Sequence, residues 1–364
     1  MHISLTHGGG VEKYTQMLIE HTAVAYDTVL VCDPDYKTDC FQAFTCKVLR
    51  VVVPKKIALV ADFKAAAKIR CMIKAEKPDI VYCHSAVAGA IGRVAALGMN
   101  CKTVYNAHGW AFDMDVSKKK KWLYCFLERI LAWITDEIVT ISEHDRKSAI
   151  DKKICKENKI RVILNGINRQ QCVSKTPNRG AFGYKETDFI VGCAARIAEQ
   201  KDPLLFAETA GILAKRCPDA KFIWVGEGEL HDAFLAALQQ NGVLEKTWIT
   251  GWVDAPAEYI GLFDVAVLFS KWEGFGLCLA EYLALGKPVV ATHVGGISEV
   301  VEDGVCGKLM QDRNPQRLAE EILAYRNKAL IPEIRRNCIE HSKKFDFQVT
   351  AQKTCALFEE LLRR

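Results

Sequence analysis

The sequence holds no run of about 18 uncharged apolar residues, the length needed for an ordinary transmembrane helix, so a membrane-spanning protein is not expected. Its opening residues, MHISLTHGGG, have no apolar core of signal-peptide length before the glycines, and a cytosolic protein is expected. Cys-x-x-Cys pairs are absent and the 15 cysteines are scattered. They read as reduced thiols serving as small hydrophobes, not as a disulfide frame. No metal-ligand spacing is recognised. Net charge is also slight, since 49 Lys plus Arg against 44 Asp plus Glu give +5 and a pI of 8.4. A dedicated nucleic-acid binder usually exceeds a pI of about 9, so nucleic acid is not an expected partner. Internal repeats and low-complexity tracts are missing as well.

What remains is 364 residues, 50% hydrophobic and 26% charged, a globular composition. Single cores stop growing near ~250–300 residues, so about two domains are expected. Strand-length apolar runs alternate with amphipathic segments, the pattern of wound α/β domains. Strands are predicted at His2–Thr6, Thr28–Cys32, Val48–Val53, Ile80–His84, Thr103–Ala107, Glu137–Ser142 and Lys159–Ile163, with helices between several of them. A polar stretch from Asn165–Gly166 to about Asp188 reads as linker and domain boundary. The alternation then resumes with strands near Phe189–Ala194, Lys221–Val225, Thr247–Ile249, Val265–Phe269, Pro288–Thr292 and Gly307–Met310. The closing segments Pro315–Lys328, Glu333–Lys343 and Val349–Leu361 read as helices, the first capped by Asn314. Two Rossmann-like halves would leave a cleft, where ligands of such folds usually sit.

Chemistry concentrates in the second half. A strand runs into Glu273-Gly274-Phe275-Gly276 and then a helix carrying Glu281. The glycines clear side chains from the turn and leave bare N–H groups at a positive helix end, a place suited to phosphate. Two carboxylates at different heights suit a hydroxyl-rich ligand, because each accepts hydrogen bonds from vicinal hydroxyls. A solvated acidic turn is the plainer reading, and the glycines here and at Gly295-Gly296 weigh against it. Upstream, FIVGCAARIAEQKDP places Arg196 and Lys201 after a strand, with Asp202 and Pro203 as helix-start signals. A guanidinium fork with a point charge is a combination that neutralises a diphosphate. Either cation alone is more often a surface charge.

Between Ser117 and Asp136 the sequence reads SKKKKWLYCFLERILAWITD. Four lysines leading into Trp122, Leu123, Tyr124, Phe126 and Leu127 at helical spacing fit an interfacial helix on an anionic membrane. A core helix with a solvated basic start fits equally, and both readings stand at this point.

The succession of Gly8-Gly9-Gly10, NAHG at Asn106–Gly109, ISE at Ile141–Glu143, LNGI at Leu164–Ile167, AARIAEQKD, WVGEGE, ITGWV, EGFGLCLAE and HVGGISEVVEDGVCG strongly resembles the retaining nucleotide-sugar glycosyltransferases of the glycogen-synthase-like superfamily, glycosyltransferase family 4, group 1. The likeness covers nearly the whole chain, and the Glu-x7-Glu element after Arg-x4-Lys is its most specific part. It implies the GT-B fold: α/β, two Rossmann-like domains facing across a cleft, with a C-terminal helix returning toward the N-terminal domain. Residues 1–166 would be the acceptor-binding domain, with tail helix 346–364 packed back on it, and 167–345 the nucleotide-sugar domain. By the same resemblance Glu273 touches donor-sugar hydroxyls and Glu281 holds the ribose. Arg196 and Lys201 bind the donor diphosphate, with backbone N–H groups around Gly274, Phe275, Gly276 and Leu277 completing the cradle. Gly251 to Val253 lie under the nucleobase, and Gly9 and Gly10 near the donor phosphates or the acceptor. His108 sits beside the reacting sugar, the alternative being a hydrogen-bonded histidine at a strand end. Trp252 departs from the smaller or Phe-like residues frequent in relatives and leaves the base open.

The resemblance implies a same-face displacement with retention, in which the leaving phosphate assists deprotonation of the acceptor. Arg196, Lys201, His108 and Glu273 are the expected catalytic residues, and no resident cofactor or metal is expected. A UDP-sugar donor is expected, with a glycan or lipid-linked acceptor of surface polysaccharide or lipopolysaccharide assembly, and localisation in the cytoplasm or on the inner face of the membrane. A GT-B epimerase, a phosphorylase and a non-catalytic sugar-nucleotide binder are the alternatives. A Rossmann oxidoreductase is disfavoured because no Gly-x-Gly-x-x-Gly follows the first strand.

Overall fold

The computed structural model describes residues 1–6, 9–38, 41, 45–53, 59–173, 178–326 and 331–364. The chain divides into two compact units, Met1–Gly166 with Phe347–Arg364, and Ile167–Asp346.

In the first unit, β1 (His2–Ser4), α1 (Gly10–Thr22), β2 (Thr28–Cys32), β3 (Cys46–Arg50), α2 (Leu59–Glu76), β4 (Ile80–His84), α3 (Ala86–Ala96), β5 (Lys102–Asn106), α4 (Lys118–Trp133), β6 (Glu137–Thr140), α5 (Glu143–Asp151) and β7 (Ile160–Val162) follow in order. The seven strands form one sheet in the order β3-β2-β1-β4-β5-β6-β7, and every pairing is parallel. Strand order reverses between β1 and β4, the switch point near which ligands of such sheets bind. Register pairs His2 with Tyr82, Ser4 with His84, and His84 with Asn106. Because strand side chains alternate, these residues share one face. That face is covered by Tyr14 and Leu18 of α1 and by Phe347, Leu357 and Phe358 near the chain's end. On the opposite face α3 approaches closely: a Cβ at Gly89 would lie 2.3 Å from the Tyr105 ring, and one at Gly92 2.5 Å from the Cys83 sulfur.

In the second unit come α6 (Arg169–Val173), β8 (Phe189–Ala194), α7 (Pro203–Arg216), β9 (Ala220–Val225), α8 (His231–Gln240), β10 (Thr247–Ile249), α9 (Pro256–Ile260), β11 (Val265–Leu268), α10 (Leu277–Ala284), β12 (Val289–Thr292), α11 (Ile297–Val300), β13 (Gly307–Met310), α12 (Pro315–Ala324) and α13 (Ile331–Ser342). Its six parallel strands run β10-β9-β8-β11-β12-β13. Asp202 caps α7 by accepting from Leu205 N, and Asn314 caps α12 by accepting from Gln316 N and Arg317 N, each with proline next in line. Such caps satisfy amide donors that the helix itself leaves open.

The last helix, α14 (Phe347–Arg363), belongs to the first unit. Its Thr350 hydroxyl donates to Leu164 O at 2.9 Å, and Arg161 meets both oxygens of Glu360 at 3.0 and 2.9 Å. The chain passes Gly166 so closely that a Cβ there would lie 2.6 Å from Phe347 Cα.

Two expectations need correction, and one of the two readings left open for the lysine-led helix falls. The third strand lies at Cys46–Arg50, not Val48–Val53, because β2 pairs with the earlier residues. The polar stretch after Gly166 is not plain linker: α6 and a 3-10 turn at Arg179–Phe182 occupy part of it, while 174–177 lie outside the described residues. Helix α4 is not a core helix. Only Cys125, Glu128 and Ala132 of it are buried, whereas Trp122 is 65% and Trp133 87% exposed, with Leu123, Phe126, Leu127 and Ile130 exposed beside them. Gly8 and the expected helix end at residues 327–328 also lie outside the described residues. Among those residues, no helix is long and apolar enough to cross a membrane.

Candidate active site

The site is built where β11 ends. The chain leaves the sheet through Ser270–Phe275 and enters α10 at Gly276, whose φ of +81° places it in the left-handed region, where glycine carries no Cβ penalty. Gly295, at φ +56°, has a tighter constraint, because a Cβ there would lie 1.7 Å from Glu273 O. The neighbouring Gly296 N donates to that same carbonyl at 3.2 Å. Glu273 is thus held by its backbone against the loop that follows β12.

Its side chain meets Lys201, 72 positions away in sequence. The Lys201 ammonium contacts the Glu273 carboxylate, and the Ser270 hydroxyl donates to the same oxygen at 3.2 Å. The two loops are stitched together: Lys271 N donates to Gln200 O at 2.8 Å, and Gln200 Nε2 to Trp272 O at 2.9 Å. Arg313 pairs with Asp202 and donates to Ser270 O at 3.2 Å. Burial alone would lower the Lys201 pKa, but the adjoining Glu273 carboxylate outweighs it and the ammonium is held above its ordinary range. Lys201 therefore stays charged at neutral pH.

Glu281 is buried on α10. Beside it, burial pushes the Cys278 thiol up to about 12, which keeps it neutral and unreactive. Phe275 is buried edge-on against Phe345, with centroids 5.6 Å apart. The amides at Leu277 and Cys278 belong to the first turn of α10 and have no partner within the helix. Arg196 is placed differently from Lys201. Its guanidinium is exposed and its ion-pair partner is Glu229 at 3.9 Å. The Arg196 loop is fixed by backbone, with Ile197 N donating to Glu227 O at 2.9 Å and Trp224 Nε1 to Ala195 O at 2.8 Å. Gly251 lies alongside through a bridge to Gly226, followed by exposed Trp252 and half-buried Val253.

In the first unit Gly9, at φ +89°, precedes α1, and Gly10 is the first helical residue. His108 follows β5 with a positive φ of +51°. Its amide donates to Asn106 Oδ1 at 3.2 Å, and its Nε2 is 3.2 Å from His84 Nδ1. The histidine is hydrogen-bonded at a strand end, one strand from the switch point of the sheet. Ser270, His2 and His84 were not singled out from the sequence, where nothing marks them but their neighbours in space. Two Asp-x-Asp spacings, Asp33 with Asp35 and Asp113 with Asp115, do occur, against the expectation that the sequence holds no metal-ligand spacing. Asp113 is engaged by Ser148 and Lys152, and Asp33 Oδ1 accepts from Asp35 N.

Burial lowers the pKa of His2 and His108 to about 3 and drives His84 well below its ordinary value. The ionisable groups against them are Tyr14 on α1, Tyr82 on β4 and the Met1 ammonium. No carboxylate is among their hydrogen-bond partners in the described residues. The unfolded chain takes up protons near pH 6.5 that the folded chain refuses, His2 and His108 until about pH 3, so stability is full above 6.5 and falls as pH drops below it. The loss approaches about 1.4 kcal/mol per pH unit for each histidine. Urea midpoints measured from pH 7.5 to 5 should fall accordingly, and His2→Phe should flatten the slope. An unchanged midpoint over that range would show that the histidines are not held neutral.

Known families match the chain in both units. A family profile described as "Glycosyl transferase 4-like domain" matches residues 9–166, and one described as "Glycosyl transferases group 1" matches 188–327. The chain is a group 1 glycosyltransferase. It belongs to the retaining, glycogen-synthase-like enzymes, acts as a glycosyltransferase on a nucleotide-sugar substrate, and has the GT-B fold. A 41.2 kDa protein of the cps region of Klebsiella pneumoniae is 30% identical over 88% of both chains. The UDP-Gal:alpha-D-GlcNAc-diphosphoundecaprenol alpha-1,3-galactosyltransferase of Escherichia coli is 28% identical over 86% of this chain and 83% of its own. Among solved structures, Anabaena Alr3699/HepE in complex with UDP and glucose superposes with a TM-score of 0.81 at 20% identity, covering 98% of each chain. WaaG, a glycosyltransferase involved in lipopolysaccharide biosynthesis, gives 0.80 at 16% identity and the same coverage.

Proposed function

We propose that this glycosyltransferase moves a sugar from a UDP-sugar to a hydroxyl of a lipid-linked saccharide during surface-polysaccharide or lipopolysaccharide assembly. The second unit takes the donor and the first unit the acceptor. The donor assignment rests on the Lys201–Glu273 pair beside the glycine-capped start of α10. Glu281 takes the ribose hydroxyls, Arg196 and Lys201 the diphosphate, Gly251 and Val253 the base, and Glu273 the sugar. Donor binding would share Lys201 between its present carboxylate partner and the diphosphate, leaving Glu273 free to accept from sugar hydroxyls. His108 is assigned to the reacting sugar, and Gly9 and Gly10 to the phosphates or acceptor.

In the transfer the bond from the anomeric carbon to the diphosphate oxygen breaks while one to the acceptor oxygen forms on the same face. The acceptor proton passes to the departing diphosphate. Lys201, Arg196 and the first amides of α10 meet the charge that develops there, the kind of preorganised stabilisation that carries most catalysis of this type. With a half-buried ammonium and helix amides in that role, transfer should persist in excess EDTA. Loss of activity on chelation, restored by magnesium or manganese, would refute the assignment. The product's anomeric proton, read by NMR, should show the donor's configuration.

The observation that carries the lipid-linked acceptor is the outward face of α4. Lys118–Lys121 open the helix, and Trp122, Phe126, Ile130 and Trp133 then stand exposed along it, with the Trp122 and Phe126 rings stacked 5.5 Å apart. Glu128 pins the inner side by accepting from Arg93 at 2.9 Å and from Tyr105 at 3.2 Å. A rigid aromatic stripe beside a lysine cluster suits an anionic bilayer surface, where each lysine contributes about 1 kcal/mol. The protein should float with anionic vesicles at low salt. Replacing the four lysines by Ser, or Trp122 and Trp133 by Ser, should abolish flotation without altering nucleotide affinity. Indifference of the wild type to such vesicles would remove the membrane reading.

A further inference from the structure

Beneath the switch point of the first unit, three histidines from three different segments form a continuous chain. His2 Nδ1 on β1 is 3.1 Å from His84 Nε2 at the end of β4, and His84 Nδ1 is 3.2 Å from His108 Nε2 after β5. His2 and His84 are buried, with their rings stacked 5.4 Å apart at 13°. Parallel register explains the alignment, since His2 and His84 lie on one face of adjacent strands and His84 is paired with Asn106, two residues before His108. Aromatic rings enclose the set: Tyr14 lies edge-on to His108 at 4.7 Å, Tyr82 is 4.4 Å from His84, and Phe358 is 6.5 Å from His2.

The connectivity dictates a simple rule. Each link joins Nδ1 of one ring to Nε2 of the next and holds one proton. A neutral imidazole has one donor and one acceptor. If His84 carries its proton on Nδ1, it donates to His108, whose own proton must then be on Nδ1. His84 Nε2 must meanwhile accept from His2 Nδ1–H. The opposite arrangement puts all three protons on Nε2. The rings therefore carry their protons on the same nitrogen, all three Nδ1–H or all three Nε2–H, and mixed states break a buried hydrogen bond. Burial without a carboxylate partner among the described residues keeps the set neutral, which the rule requires.

The geometry points to His2 and His84 as positioning residues that set which ring nitrogen of His108 carries the proton, and so whether His108 offers a donor or an acceptor from Nδ1. The inference rests on the reading above that His108 faces the reacting sugar. The second partner of a catalytic imidazole commonly fixes its tautomer. Here that partner is another imidazole, itself coupled to a third.

The test is long-range nitrogen–proton NMR on the full chain with nitrogen-15 labelled histidine, with ring signals assigned from single histidine variants. His2, His84 and His108 should share one tautomer in the wild type, a measurement that needs no folded variant. In His2→Phe the His84 and His108 signals should shift toward a mixture, and kcat should fall about tenfold with donor KM unchanged. His2→Asn, whose amide can take the place of Nδ1, should recover most of that loss. Different tautomers among the three histidines, or a His108 tautomer indifferent to His2→Phe, would overturn the inference. If the tautomers are shared but His108→Ala turns over normally, the chain stands and the catalytic placing of His108 falls.

Discussion

Glu273→Ala should lower kcat by about 10²-fold or more, on the order of 3 kcal/mol, while calorimetric affinity for the bare nucleoside diphosphate changes little. The carboxylate stands at the strand end beside the α10 start, held by Lys201 and Ser270. The proposal puts it on the sugar ring, which flattens and gains positive charge during transfer. An interaction that strengthens in the transition state appears in kcat, whereas one equal in both states appears in binding. Glu281→Ala should behave in the second way, because ribose looks the same before and during reaction. Arg196→Ala should impair both, since the diphosphate is bound first and gains charge later. A near-normal kcat in Glu273→Ala, together with lost diphosphate affinity, would reverse the two roles.

Gly295→Ala should lose activity to a similar extent without touching any side chain assigned to the donor. The new methyl carbon would lie 1.7 Å from Glu273 O and 2.8 Å from its carbonyl carbon, so the backbone carrying Glu273 has to move. Left-handed geometry adds about 1 kcal/mol for a non-glycine residue. Gly304→Ala is the control, for it has the same sign of φ, +76°, with nothing within 4 Å of the new atom. It should lower the unfolding free energy by about 1 kcal/mol and leave kcat intact. Circular dichroism melts beside steady-state rates separate the two effects. Equal behaviour of both variants would show that the Glu273 backbone tolerates displacement.

Alternation of apolar runs was enough to locate most strands, because parallel strands buried on both faces read as continuous Val- and Ile-rich segments. Thr28–Cys32, Ile80–His84, Phe189–Ala194, Thr247–Ile249 and Gly307–Met310 fall at the expected residues. Caps were equally legible at Asp202 and Asn314, where a side-chain acceptor stands directly before proline. Edge strand β3 was misplaced, since with one neighbour its boundary depends on pairing with β2 rather than on its own pattern. The two faces of α4 could not be told apart by periodicity, because its buried side is marked by Glu128 and Cys125 and its exposed side by tryptophan. In the site, the glycines and Glu-x7-Glu spacing were visible as local sequence. The Lys201–Glu273 contact, the Ser270 donor and the histidine chain were not, since each joins segments that only the sheet topology brings together.

The proposed function requires the second unit to bind a uridine diphosphate sugar through Glu281, Lys201 and the start of α10. Calorimetric titration of the wild type and Glu281→Ala with UDP, GDP and ADP, all in EDTA, tests it most directly. UDP should bind the wild type most tightly, and Glu281→Ala should weaken this by about tenfold or more, the loss of charged hydrogen bonds worth about 1.5–3 kcal/mol. Absence of UDP binding, preference for GDP or ADP, or an unchanged affinity in Glu281→Ala would contradict it.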